Sequence, residues 1–170
     1  MDFRGTHTAL VTPFLDDAHQ SIDWPAYDAL IEAQVAGGVR GLVVCGTTGE
    51  SPALSRSEQI ELFSRTVKQA KGRALVIAGT GSNSTHHTIE LSAAAEKAGA
   101  DAVMIVVPYY NKPTQEGLVA HFCAAAAAVK CPVIVYNIPA RTGIDLSADA
   151  LVHICEKSKN VVACKEATGN

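Results

Sequence analysis

A lysine interrupts an apolar run near one end of the 170-residue chain: Val161, Val162, Ala163 and Cys164 lead directly into Lys165 and Glu166. Burying an ammonium ion is costly, so an amine on a buried strand is expected to have a lowered pKa and to act as a nucleophile toward a carbonyl carbon. The competing reading is a structural ion pair with Glu166 or another acid. Three further apolar runs end in polar residues: "GTTGES" at 46–51, "PYYNKP" at 108–113 and "YNIPARTG" at 136–143. Tyr136 offers a phenol that can donate and accept protons beside an amine, unless it is a core aromatic with a satisfied hydroxyl. Gly46, Thr47 and Thr48 form a tight loop whose backbone N–H groups and hydroxyls suit a carboxylate, although Gly-Thr turns are common. Arg141 can fork onto a second carboxylate, or simply be solvated. The chemistry these types support is covalent capture of a carbonyl on an acidic substrate.

Such residues must be brought together by the elements that carry them. Short β-branched runs start at Thr8, Leu42, Leu75, Val103, Val133 and Val161, spaced 28 to 34 residues apart. Near-continuous apolarity, rather than alternation, marks strands buried on both faces of a parallel sheet. Helices fill the gaps. Asp23-Trp24-Pro25 opens one that runs to Val35 and ends at Gly37-Gly38. Ser55 and Glu58 fit a capping box before a helix that stops at Lys71-Gly72. A third runs from about Ser84 to Lys97, a fourth follows Thr114 through the alanine run to Lys130, and Ser147 caps a fifth.

Five strand–helix units and a sixth strand suit either a doubly wound sheet or a (β/α)8 barrel. The first strand is followed by "VTPFLDDAHQ", with no glycine-rich phosphate loop, which favours the barrel. The expected fold is therefore an α/β TIM barrel, a single domain over 1–170 that covers about the first six strands. Because a full barrel needs about 250 residues, the chain reads as truncated after the sixth strand, with bare sheet edges.

Composition narrows the partners. The chain is 48% hydrophobic and 18% charged, with a formal charge of −3 and no basic run, so nucleic acid is not expected. No apolar stretch approaches the ~20 residues of a membrane span, and the first residues lack a signal-peptide layout, so a cytoplasmic location is expected. Five cysteines, an odd number without a C-x-x-C pair, suggest neither disulfides nor zinc. Six histidines show no ligand spacing, and no metal is expected.

"GTTGES", "PYYNKPTQEGL", "YNIPARTG" and "KEATGN", in this order, resemble the pyruvate-dependent class I aldolases of the dihydrodipicolinate synthase and N-acetylneuraminate lyase superfamily, from about Gly5 to Asn170. The resemblance implies that Lys165 forms a Schiff base with pyruvate, that Tyr136 moves protons, and that Thr47 links Tyr136 to Tyr110, which reaches a neighbouring subunit's site. It implies that Thr48, with Gly46 beside it, holds pyruvate's carboxylate and that Arg141 holds that of the second substrate. Thr47 and Arg141 together match the synthases rather than the neuraminate lyases. The implied reaction condenses pyruvate with L-aspartate 4-semialdehyde to 4-hydroxy-tetrahydrodipicolinate, feeding diaminopimelate and lysine synthesis, with no cofactor and in a homotetramer built as a dimer of dimers. Another pyruvate-dependent aldolase, for a 2-keto-3-deoxy sugar acid or 4-hydroxy-2-oxoglutarate, or a non-catalytic barrel remnant, are the alternatives. Ser51, Asn83 and Tyr109 match a lysine-binding inhibitory site in the same family. Arg56, Gln59 and His87 depart from its pattern, and weak or absent inhibition is expected because a cation is added and a carboxylate is lost.

Overall fold

Six parallel strands, hydrogen-bonded in the order of the sequence, organise the computed structural model, which describes residues 1–169; Asn170, the last residue of "KEATGN", lies outside the described residues. They are β1 (His7–Ala9), β2 (Gly41–Val44), β3 (Leu75–Gly79), β4 (Ala102–Val106), β5 (Val133–Asn137) and β6 (Val161–Glu166). A doubly wound sheet reverses its strand order at a switch point, and this sheet does not. The architecture is the first six strands of a (β/α)8 barrel, with all strand C-termini on one rim.

Helices α1 (Trp24–Ala36), α2 (Arg56–Ala70), α3 (Thr85–Ala98), α4 (Gln115–Ala127) and α6 (Ala148–Lys157) start at the anticipated capping residues, Asp23, Ser55, Ser84, Thr114 and Ser147. Each cap's side-chain oxygen accepts a backbone N–H that the first turn cannot satisfy internally. Both halves of the Ser55/Glu58 capping box form. At the far end of α2, Lys71 takes a left-handed conformation ahead of Gly72, which turns the chain toward β3. The alanine-rich α4 stops at Ala127 rather than continuing to Lys130. A four-residue helix, α5 (Pro139–Thr142), replaces what the sequence presents as a loop, since Pro139 at its first position presets the backbone angle.

Alternate strand residues feed two apolar layers. Leu42, Val44, Val76, Val103, Ile105, Val133 and Val135 pack against Phe63, Leu62, Phe122, Leu118 and Ile154 of the helices. Complete burial of each such side chain contributes about 2 kcal/mol. The opposite face, turned toward the barrel axis, carries the smaller cluster of Val43, Ile77, Met104, Ile134 and Tyr136. This division explains why the strands read as continuous apolar runs: both faces are covered.

Candidate active site

The rim at the strands' C-terminal ends encloses a cavity of about 590 Å³, a size suited to a small substrate. Gly46, Thr47, Ser51, Tyr109, Tyr136 and Arg141 line it, over a floor that includes Met104 and Val106. Thr48, Tyr110, Asn83 and Lys165 are not among the lining residues.

Backbone strain is concentrated here. Cys45 and Glu50, which flank the Gly-Thr-Thr-Gly turn, and Tyr110 and Lys112, in the loop after β4, all have positive φ, at 53°, 55°, 75° and 43°. Such conformations are costly for residues with a side chain and persist where the surroundings fix them. The turn itself is a short 3-10 helix, Thr47–Gly49. Thr12, buried in the loop after β1, donates to the Gly49 carbonyl at 2.8 Å and anchors it. Gly79 matters equally. A methyl group there would sit 2.3 Å from the Cys45 carbonyl oxygen, so only glycine lets β3 approach the start of the turn. Neither Thr12 nor Gly79 was singled out from the sequence, because a lone threonine or strand glycine carries no sequence signal for such a contact.

Tyr136 and Lys165 meet. They are register partners on β5 and β6, and the Lys165 amine lies 3.9 Å from the centroid of the Tyr136 ring. Their meeting depends on a bulge. The register slips between Val133 and Ile134, which pair with Val161 and Ala163 and leave Val162 out. A one-residue slip exchanges the two faces of a strand. An unbroken register from Val161 would set Cys164 against Tyr136 and turn Lys165 toward the helices.

Tyr136 is buried, at 5% exposure, and Lys165, on a strand whose far edge has no partner among the described residues, is exposed. Among the described residues no ion pair joins Lys165 to Glu166. Successive strand residues face opposite sides, and the Glu166 carboxylate accepts from Asn137 Nδ2 at 3.0 Å and from the Thr168 N–H at 2.9 Å. Those bonds, Asn137's first, hold the Glu166 pKa below the usual carboxylate range. Asn137 itself is 1% exposed, and its Nδ2 also donates to Asp145 at 2.7 Å.

Thr47, Thr48 and Arg141 are exposed at the rim, and Arg141 has no ion-pair partner among the described residues. Tyr110, at 87% exposure, projects outward, and among the described residues no hydrogen bond joins it to Thr47 or Tyr136. At the other end of the cavity, Gln59 donates to both the carbonyl and the hydroxyl of Ser51, at 3.0 and 2.9 Å. Asn111 donates to the Asn83 carbonyl at 3.0 Å. Arg56 is opposed by Glu90, whose carboxylate meets its guanidinium at 2.6 Å across the α2–α3 contact. Among the described residues no three His, Cys, Asp or Glu side chains are grouped to hold a metal, and no helix is long and apolar enough to cross a membrane.

Known proteins share this fold. The 4-hydroxy-tetrahydrodipicolinate synthase of Sorangium cellulosum is 58% identical over all 170 residues, which cover 56% of that protein. The crystal structure of dihydrodipicolinate synthase from Aquifex aeolicus superposes with a TM-score of 0.95 at 46% identity, over 99% of this chain and 56% of that one. A chloride-inhibited dihydrodipicolinate synthase from Acinetobacter baumannii, complexed with pyruvate, gives 0.95 at 46% identity, over 99% and 57%. The chain thus spans little more than half the length of these relatives. The profile of the Dihydrodipicolinate synthetase family matches residues 2–170, and the chain belongs to that family.

Proposed function

We propose that the protein is a class I aldolase, a lyase that condenses pyruvate with L-aspartate 4-semialdehyde to 4-hydroxy-tetrahydrodipicolinate. The observation that carries this reading is the Lys165 amine 3.9 Å from the ring centre of Tyr136, beside a cavity with donors for two carboxylates. The relatives named above are synthases of this kind, and one of them is described in complex with pyruvate.

The free amine of Lys165 adds to the keto carbon of pyruvate, and loss of water leaves a protonated imine. That imine withdraws electrons, so the methyl group releases a proton and becomes the nucleophilic carbon of an enamine. The enamine attacks the aldehyde carbon of the second substrate. The amino group of that substrate then closes the ring and displaces Lys165. Tyr136 supplies and removes protons at the imine nitrogen, with Thr47 and the Tyr110 of an adjoining subunit extending the path. Thr48, through its hydroxyl and backbone N–H, and Gly46 hold pyruvate's carboxylate. Arg141, unpaired at the rim, takes the carboxylate of the semialdehyde.

The exposed Tyr110, held at positive φ, fits a role across a dimer contact within a cytoplasmic tetramer. The site works within a single domain and needs no cofactor. Ser51, Asn83 and Tyr109 mark the lysine site, where inhibition is weak. Incubation with pyruvate and borohydride, followed by mass spectrometry, tests the central claim: Lys165 should gain the mass of reduced pyruvate. A chain left unlabelled would defeat the reading.

A further inference from the structure

We propose that Asn137 is a positioning residue: its single buried carboxamide locks the Lys165-bearing end of β6 to the loop that carries Arg141. Its functional consequence rests on the Schiff-base reading above. Asn137 follows Tyr136 on β5, so its side chain faces away from Tyr136 and Lys165 and does not meet substrate. Both hydrogens and the oxygen of the carboxamide are nevertheless engaged. One Nδ2 hydrogen goes to Asp145 Oδ1 at 2.7 Å and the other to Glu166 Oε2 at 3.0 Å, while Oδ1 accepts the Leu146 N–H at 3.1 Å. The backbone carbonyl of Asn137 accepts the Ala167 N–H at 3.0 Å.

These bonds join three pieces of chain. Glu166 is the residue after Lys165, and Ala167 continues the strand, so both fix where β6 ends. Asp145 and Leu146 close the loop that begins with α5 and Arg141. That loop is stiffened from within, because the Thr142 hydroxyl bonds the Ile138 and Ile144 carbonyls at 3.1 and 2.8 Å. It is tied to the start of α4 as well: Gln115 donates to the Asp145 carbonyl at 2.8 Å and accepts from the Ser147 N–H at 3.0 Å.

The pairing is also particular about donor and acceptor. Asp145 and Glu166 are both carboxylates, able only to accept, and they are brought to one nitrogen. A carboxamide satisfies both. A carboxylate in its place would offer neither a donor and would add a third negative charge. An apolar side chain would leave the Leu146 N–H unpaired in a buried position, together with two facing charges. The clamp therefore sets the distance between imine and second carboxylate through donor polarity, not bulk.

Amide hydrogen exchange and borohydride trapping, measured on the same variants, test this. Asn137→Ala should speed exchange at 144–147 and 166–169 by about tenfold or more, with β2 and β3 unchanged, and should slow pyruvate trapping by a similar factor. Asn137→Asp should be worse than Asn137→Ala. Adding Glu166→Gln to Asn137→Asp restores a donor facing an acceptor on the Glu166 arm alone, so it should recover the loss at 166–169 while 144–147 stay loose. Unchanged exchange in both segments, a uniform rise across the sheet, an aspartate variant no worse than the alanine one, or no recovery in the double variant would each overturn the proposal. Should the Asn137 variants fail to fold, Glu166→Ala and Asp145→Ala separate the arms: each must loosen its own segment, and no change in either refutes the clamp. A wild-type chain that takes up no pyruvate defeats the Schiff-base reading instead, and exchange alone then judges the clamp.

Discussion

The two walls of the cavity are built differently. On the β2–β3 side, the Gly-Thr-Thr-Gly turn is fixed by backbone: strained φ at Cys45 and Glu50, a hydrogen bond from buried Thr12, and the close approach of Gly79. On the β5–β6 side, which carries the proposed nucleophile, order comes from side-chain bonds centred on Asn137. A carboxylate cradle needs only fixed donors, which a rigid turn supplies within one segment of chain. An amine that is to approach a carbonyl carbon from one direction needs its strand end held, and here that takes bonds from β5 and from the loop after it. One wall is thus held by backbone within its own segment, and the other by side chains that join three.

The largest effect should come from the reacting wall. Lys165→Ala should abolish labelling by pyruvate and borohydride while leaving the thermal transition in place, since its side chain is exposed and contributes little packing. Retained labelling would move the nucleophile to another lysine. The binding wall should respond in the opposite sense. Gly79→Ala forces a methyl group onto the Cys45 carbonyl and should cost about 3 kcal/mol or more in denaturant unfolding. A neutral result would show that the turn can yield, which would erase the contrast.

How much of this was readable beforehand follows the same division. Strand starts, helix caps and the consecutive barrel order were legible because apolar period and capping chemistry are local properties of the sequence. The meeting of Tyr136 with Lys165 came from the family pattern, and the bulge at Val162 that produces it left no mark in the composition of β6. The face that Lys165 takes is likewise set by its pairing with β5, not by its apolar neighbours in sequence. Asn137 went unassigned for a related reason: its partners lie 8 and 29 residues away, and only the fold unites them. Arg56 is a similar case, since the Glu90 that meets its guanidinium lies 34 residues on.

Smaller effects sharpen the comparison. Arg141→Ala should raise the KM for the semialdehyde by about tenfold to a hundredfold, the worth of a charge-assisted bond, and leave pyruvate labelling intact. Loss of labelling would tie Arg141 to the first half-reaction. Outside the site, His121 on α4 is 5% exposed, bonds Thr85 at 2.9 Å through Nδ1 and leaves Nε2 without a partner. Burial lowers its pKa from 6.5 to about 4. The unfolded chain therefore binds this proton more readily, so the contribution of neutral His121 is complete above pH 6.5 and is lost as pH falls toward 4. Comparison with His121→Gln across that window should show a pH-dependent stability difference of about 3 kcal/mol, and a constant difference would refute the assignment.

The smallest effect concerns the far end of the cavity, where Glu90 is the one carboxylate close to Ser51, Gln59 and Tyr109 in the lining. It is already engaged by Arg56 at 2.6 Å, and His86 Nε2 lies 3.5 Å from its other oxygen. A lysine ligand must therefore compete with a guanidinium for the one carboxylate in the described lining, so inhibition should be weak. Arg56→Ala leaves Glu90 with the exposed His86 alone. Because such part-exposed pairs contribute at most about 1 kcal/mol, inhibition by lysine should strengthen by no more than about fivefold. An inhibition constant that stays the same or rises in that variant would show that Glu90 does not meet the ligand.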